Sequence, residues 1–173
     1  MSEGVWFRNL NGEEAERFLK LTQGMGGETS LEQSVACIGV PTCQMGICNS
    51  QGTLNSILEY FKSKNFNEDI LPRVHISGCG NSCGVHEIGE IGFTGKKKRV
   101  NDKVEDCFEL YIGGSYKADN ARLGKSYGDI LGSEIPKFLY ELAVAVKDSN
   151  ITFVKFVDNK EREFEGIVNK YLV

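Results

Sequence analysis

Two short stretches carry four of the six cysteines of this chain, and their spacing limits what it can fold around. Cys37 and Cys43 lie in "CIGVPTC" with five residues between them, and Cys79 and Cys83 lie in "CGNSC" with three. The 35 residues from 44 to 78 separate the pairs. Zinc sites mostly use pairs with two to four intervening residues, often with histidines at matching intervals, so C-x5-C is a poor half-site for a single ion. An iron–sulfur cube is larger and its thiolates must reach four corners, which wide and unequal spacings suit. The glycines at 78, 80 and 84 let the backbone lie against such a cluster and aim amide N–H groups at its sulfurs. The alternatives are ordinary buried cysteines in glycine-rich turns, or a zinc-stapled interaction domain.

Whether the thiols bind metal or bridge depends on compartment. The start, "MSEGVWFRNLNGEE", has no basic segment followed by an apolar stretch, and no apolar run approaches the roughly 18 residues that a membrane span needs. The chain therefore reads as cytoplasmic, where thiols stay reduced and cysteines serve as ligands or as plain buried groups. Cys48 and Cys107, outside the two pairs, are expected in the core. With 20 Lys+Arg against 24 Asp+Glu the net charge is −4, which gives no general attraction to nucleic acid or to an anionic membrane. A chain of 173 residues, 40% hydrophobic, is long enough for one folded domain with a sizeable core.

Residues 5–7, "VWF", read as the end of a strand, and residues 11–22 as a helix with Ala15, Phe18 and Leu19 at helical spacing. The turn-forming "QGMGGETS" then separates this opening from the cysteine-bearing body. After Cys48, Asn49 or Ser50 can cap a helix whose inner face is Leu54, Ile57, Leu58 and Phe61. "LPRVHIS" is a strand that delivers the chain to Cys79. Further strands are expected at "IGEIGFTG" and "CFELYIGG", joined by the charged loop "KKKRVNDKVED", and a helix near Pro136 with the stripe Ile135, Phe138, Leu139, Leu142 and Val146. The tail mixes a strand-like "ITFVKFV" with a helix-like "EREFEGIVNKYL". "KKKR", Lys96 to Arg99, reads as a solvated hairpin tip, and "LGKS", Leu123 to Ser126, lacks the earlier glycine of a phosphate loop because residue 119 is Asp119.

The segments "ACIGVPTC" (Ala36 to Cys43), "SGCGNSCG" after a strand, "EIGFTGKK" and "LYIGG" (Leu110 to Gly114), in this order and spacing, resemble the C-terminal cluster-binding half of the siroheme-containing sulfite and nitrite reductases. The resemblance covers about residues 35 to 147. It implies an α+β fold, a mixed sheet of four or five strands with flanking helices and the cluster loops at one end. It also implies that Cys37, Cys43, Cys79 and Cys83 hold one 4Fe-4S cluster, that Cys83 is shared with the siroheme iron, and that Asn81 offers an amide near the cofactors. Where the family has Pro after the first cysteine of the second pair, this chain has Gly80, so the turn is looser. His75 and His86 are lesser candidates for ligands, and Gly113 and Gly114 end a strand where the family backbone approaches the haem.

By this resemblance residues 1–30 are the cut end of a ferredoxin-like subdomain and residues 31–173 the cluster- and siroheme-binding domain. The implied reaction is the six-electron reduction of sulfite to sulfide or nitrite to ammonia, with electrons from a donor such as ferredoxin or a flavoprotein. No stretch matches the basic anion-binding residues of the family's N-terminal half, so that missing half is an implied partner and the chain alone is not expected to turn over. A 4Fe-4S electron-transfer module without siroheme is the alternative.

Overall fold

The computed structural model describes residues 7–173. The strand expected at residues 5–7 therefore lies largely outside the described residues. Helix α1 (Gly12–Leu21) starts at Asn11, whose side chain accepts the Glu14 N–H while the Glu14 carboxylate accepts the Asn11 N–H, both at 2.9 Å. This reciprocal cap satisfies two N–H groups that the first turn leaves over. None of its residues is buried, and Leu19 and Leu21 are exposed.

The body is one five-stranded sheet in sequential order: β1 (Val35–Ala36), β2 (Val74–Ser77), β3 (Ile91–Val100), β4 (Lys103–Ile112) and β5 (Lys125–Leu131). The pairs β1·β2 and β2·β3 are parallel, whereas β3·β4 and β4·β5 are antiparallel. The expected α+β architecture with a mixed sheet is thus the one observed. Parallel neighbours need long crossovers. The first contains helix α2 (Ser50–Ser63), and the second is the cysteine-bearing segment 78–90, which ends in a 3-10 turn at His86–Ile88.

Alternation along β4 puts Phe108, Leu110 and Ile112 into the core, and Phe93 and Ile91 of β3 join them. Helices α2 and α3 (Ile135–Ser149) pack together, with the rings of Tyr60, Phe61 and Phe66 each edge-on to Tyr140 at 5.7 Å. Ile57 of α2 and Phe138, Leu139 and Leu142 of α3 are fully buried. Asn150, in the left-handed region at φ 54°, ends α3. Among the described residues no helix is long and apolar enough to cross a membrane.

Three segments differ from the sequence reading. "KKKRVNDKVED" is a β-hairpin rather than a loop: β3 and β4 run on to a two-residue turn, Asn101–Asp102, both at positive φ (48° and 63°). This is the mirror-image turn whose twist matches that of the strands. Lys96 to Arg99 accordingly lie in β3 and form no tip. Lys96 Nζ pairs with Glu109 and Asp129 at 3.0 and 3.1 Å, Lys98 Nζ reaches Asp129 at 3.2 Å, and Lys97 pairs with Asp106. "ITFVKFV" is not a strand; helix α4 (Phe153–Asn159) buries Phe153 and Phe156, three residues apart on one face, before helix α5 (Glu161–Asn169) buries Phe164, Ile167 and Val168. Strand β5 has no periodic signal and exists through its ladder with β4.

Candidate metal centre

Strands β1 and β2 run in the same direction with Ala36 opposite Ile76, so the residues that follow them emerge at the same end of the sheet. One of these exits leads to Cys37 and the other to Gly78 and Cys79. The Cys37 N–H still donates to Ile76 O at 3.0 Å. The next amide of the facing loop, Gly78 N–H, donates to Cys37 Sγ at 3.0 Å. Gly78 O in turn accepts from Ile47 N–H and Cys48 N–H at 3.1 and 2.9 Å, so the first loop holds this residue on both sides. No side chain fits there: a Cβ on Gly78 would lie 2.7 Å from Cys48 O and 3.2 Å from Gly39 Cα. The expectation that glycine brings backbone against the cysteine sulfurs holds at position 78. It does not hold at Gly80, where a Cβ would meet nothing within 4 Å.

Cys43 sits half-buried in a turn in which its N–H donates to Gly39 O at 2.7 Å and its own carbonyl accepts from Gly46 N–H at 3.1 Å. Cys79 is buried. Cys83 is exposed, and its thiol points to Asn81 O at 3.9 Å. Asn81 is exposed as well, and the left-handed residues of its turn are Ser82 and Val85 rather than Asn81 itself.

The second loop is held from beneath. His75 Nδ1–H donates to Gly84 O at 3.1 Å. Ser77 Oγ accepts from Gly84 N–H at 3.1 Å and lies 2.9 Å from His86 Nδ1, which Ser82 Oγ approaches to 3.2 Å. The His86 ring is buried and packs edge-on to Tyr111, with 5.0 Å between centroids. Burial lowers the pKa of both histidines below its ordinary value, which keeps the rings neutral. The structure therefore uses them to fasten the loop that carries Cys79 and Cys83.

Cys48 and Cys107, outside the two pairs in sequence, are buried as expected. Cys48 Sγ is turned to the backbone, 3.4 Å from Lys96 O and 3.8 Å from Cys107 O, and burial pushes its pKa up to about 12. Burial raises Cys107 also. Both remain protonated thiols at neutral pH.

The structure thus joins the Cys37 loop to the Cys79 loop through Gly78, and Cys43 and Cys83 ride on the same two loops. Among the described residues no three His, Cys, Asp or Glu side chains gather closely enough to hold a single metal ion. A tetrahedral zinc site would need all its sulfurs about 2.3 Å from one centre, and this arrangement does not offer that. Four free thiols on two facing loops, with an amide already aimed at one sulfur, have the donor chemistry of an iron–sulfur cube.

The sequence offered Ser50 only as a helix cap and gave no sign of Ser77. Asn49 takes the cap of α2, accepting Gly52 N–H at 2.9 Å, which leaves the Ser50 hydroxyl free to donate to Cys37 O at 2.7 Å. A serine directly after an asparagine that already suffices as the cap is the signal that could have pointed to it.

No protein-family model matches the chain. The sulfite reductase (NADPH) hemoprotein beta-component of Bacillus velezensis is 28% identical over 117 residues, 66% of this chain and 19% of that protein. The protein of the same description from Bacillus subtilis is 29% identical over 115 residues, 65% of this chain and 19% of its own length. That of a Methylobacterium strain is 28% identical over 140 residues, 78% of this chain and 21% of its own. The chain thus spans about a fifth of the length of these curated relatives. Among solved structures, the NirA protein of Mycobacterium tuberculosis matches 91% of this chain and 31% of its own with a TM-score of 0.71 at 19% identity, a likeness of fold. The resemblance read from the cysteine segments is thus accompanied by a likeness in sequence to these hemoproteins.

Proposed function

We propose that the chain is the cluster- and siroheme-binding part of a sulfite or nitrite reductase and does not turn over by itself. In this reading Cys37, Cys43, Cys79 and Cys83 hold one 4Fe-4S cluster, Cys83 also reaches the siroheme iron, and Asn81 offers its amide beside them. The observation that carries the reading is the Gly78 N–H on Cys37 Sγ at 3.0 Å, because it joins the two cysteine loops at the sulfur of one of them. The exposure of Cys83 supports its double role, since a thiolate shared with a haem must be open to a second cofactor on its outer side.

Bound together, the two cofactors would supply electrons to an oxyanion such as sulfite or nitrite. The chain's own residues do the positioning. Gly78, Ile47 and Cys48 fix the loops against each other, His75 and His86 fasten the second loop, and the fold keeps Cys79 from water. Lys96, Lys97 and Lys98 are committed to Glu109, Asp106 and Asp129 and so are not offered to the substrate's charge. We assign the task of meeting that charge to the remainder of a longer reductase, which would also receive electrons from a donor such as ferredoxin or a flavoprotein. Residues 1–30 fit the end of a preceding subdomain, a reading supported by the lack of any buried residue in α1.

Anaerobic incubation with iron and sulfide, followed by siroheme, tests this. The expected result is a 4Fe-4S spectrum whose electron resonance changes when siroheme is added together with the N-terminal half of a related reductase. A cluster that siroheme leaves unperturbed would favour the plain electron-transfer module. Tightly bound zinc in place of iron would overturn the cluster and favour a zinc-stapled domain.

A further inference from the structure

The Cys37 sulfur has a second polar neighbour besides Gly78. Ser50 Oγ lies 3.2 Å from Cys37 Sγ and 2.7 Å from Cys37 O, and Ser50 is wholly buried at the first turn of α2. No cap requires this hydroxyl, since Asn49 already serves α2. Space is kept for it: Gly39 sits at φ 52°, and a Cβ there would come within 2.4 Å of Ser50 Oγ. A hydroxyl with a single proton therefore faces two acceptors of the same residue.

Resting on the cluster reading, we propose that Ser50 is a positioning residue for the iron–sulfur centre, donating a second hydrogen bond to Cys37 Sγ once that sulfur is bound to iron. In the free thiol, the Cys37 S–H donates to Ser50 Oγ and the Ser50 proton goes to Cys37 O. Ligation breaks the S–H bond, forms an S–Fe bond and releases the proton to solvent, with no change of oxidation state. The sulfur is then an anion facing an oxygen lone pair at 3.2 Å. Turning the hydroxyl replaces that repulsion with a charge-assisted hydrogen bond, about twice as strong as the neutral one to the carbonyl. The burial of Ser50 keeps water from taking its place. Donors to a cluster sulfur favour the more electron-rich reduced state, so Ser50 raises the reduction potential.

The test compares the full chain with Ser50→Ala and Ser50→Thr after anaerobic loading with iron and sulfide. Ser50→Ala is expected to take up the same iron with a more negative potential: at a fixed potential its oxidised-to-reduced ratio rises about tenfold, 59 mV for a one-electron couple. Ser50→Thr, which keeps the hydroxyl, restores the wild-type value. Electron–nuclear double resonance in water and in deuterium oxide gives a readout that a merely structural role would not move. In 15N-labelled wild type it should find two exchangeable protons beside Cys37, one on nitrogen and one on oxygen, and Ser50→Ala should lose only the second. A loaded wild type without the oxygen-bound proton, or an unchanged potential in Ser50→Ala, overturns the inference and leaves the cluster reading standing. If Ser50→Ala does not load, the wild-type proton count decides alone. A wild type that takes up no iron overturns both.

Discussion

The backbone amide of Gly78 donates to the sulfur of Cys37 at 3.0 Å across 41 positions of sequence. That bond exists because two parallel strands end side by side and the residue after the second has no side chain to hold the loops apart. Gly78→Ala places a methyl 2.7 Å from the Cys48 carbonyl, and neither backbone can yield without parting the loops. We expect a loss of about 1–3 kcal/mol in urea unfolding, in the range for overpacking, together with reduced iron uptake. Gly80→Ala, with open space around it, should stay within about 0.5 kcal/mol and keep its iron.

Six cysteine variants separate ligands from core. Serine in place of Cys37, Cys43, Cys79 or Cys83 should each abolish a stable 4Fe-4S spectrum after anaerobic loading. Cys48→Ala and Cys107→Ala should retain it, and should instead lower stability by about 1 kcal/mol for the buried sulfur removed. Iron and sulfide analysis on the same samples reads both outcomes. Loss of the cluster in Cys48→Ala at unchanged stability would contradict the assignment.

Acid should destabilise the metal-free chain in two stages. His75 and His86 have pKa values below the ordinary 6.5 in the fold because burial penalises their charged forms, so below pH 6.5 the unfolded chain binds protons that the folded one refuses. Stability falls as pH drops from there towards the folded values. Glu109 and Asp129 behave as depressed carboxylates. Burial works against their charge, but the hydrogen bonds from Ser126 and Lys96 to Glu109, and from Lys96 and Lys98 to Asp129, outweigh it. Their contribution is present above the unfolded carboxylate values and is lost as pH falls through the folded ones, a separate stage below about pH 4. Urea midpoints from pH 8 to pH 3 should show both stages, and His86→Asn should shrink only the first.

The hairpin turn offers a gain rather than a loss. Asp102 occupies the left-handed region at φ 63°, the second of two such residues, where glycine is favoured. Asp102→Gly makes the Asn-Gly pair preferred for this turn and should raise stability by about 0.5 kcal/mol without touching iron uptake. A lowered melting temperature would show that the Asp102 side chain has a role of its own.

Much of the frame was legible in the sequence because the apolar spacing is strong where burial is strong. Asn49 followed by Leu54, Ile57, Leu58 and Phe61 announces α2, and the stripe from Ile135 to Val146 announces α3. The hairpin from Lys96 to Asp106 was hidden because its charges are satisfied across the ladder, Lys97 by Asp106 and Lys96 by Glu109, so a polar run that reads as loop is a paired strand. Helix α4 was hidden for the opposite reason: valine, isoleucine and phenylalanine favour strands in composition, yet Phe153 and Phe156 reach the core only from a helix. At the metal centre the cysteines stand out by chemistry. Ser50, Ser77 and His86 act through contacts made in the fold, so their residue types alone suggest no more than a helix cap at Ser50 and a ligand at His86.

Strand β1 is two residues long and lies at the sheet edge, whereas β2 is clasped between β1 and the ten-residue β3. Its few rungs can let go at low free energy while the long β3·β4 ladder stays shut. The hydrogen bonds that Gly78 makes with Cys37, Ile47 and Cys48 therefore do the holding that a two-residue strand cannot, and a variant that loses them should slacken the Cys37 side ahead of the Cys79 side.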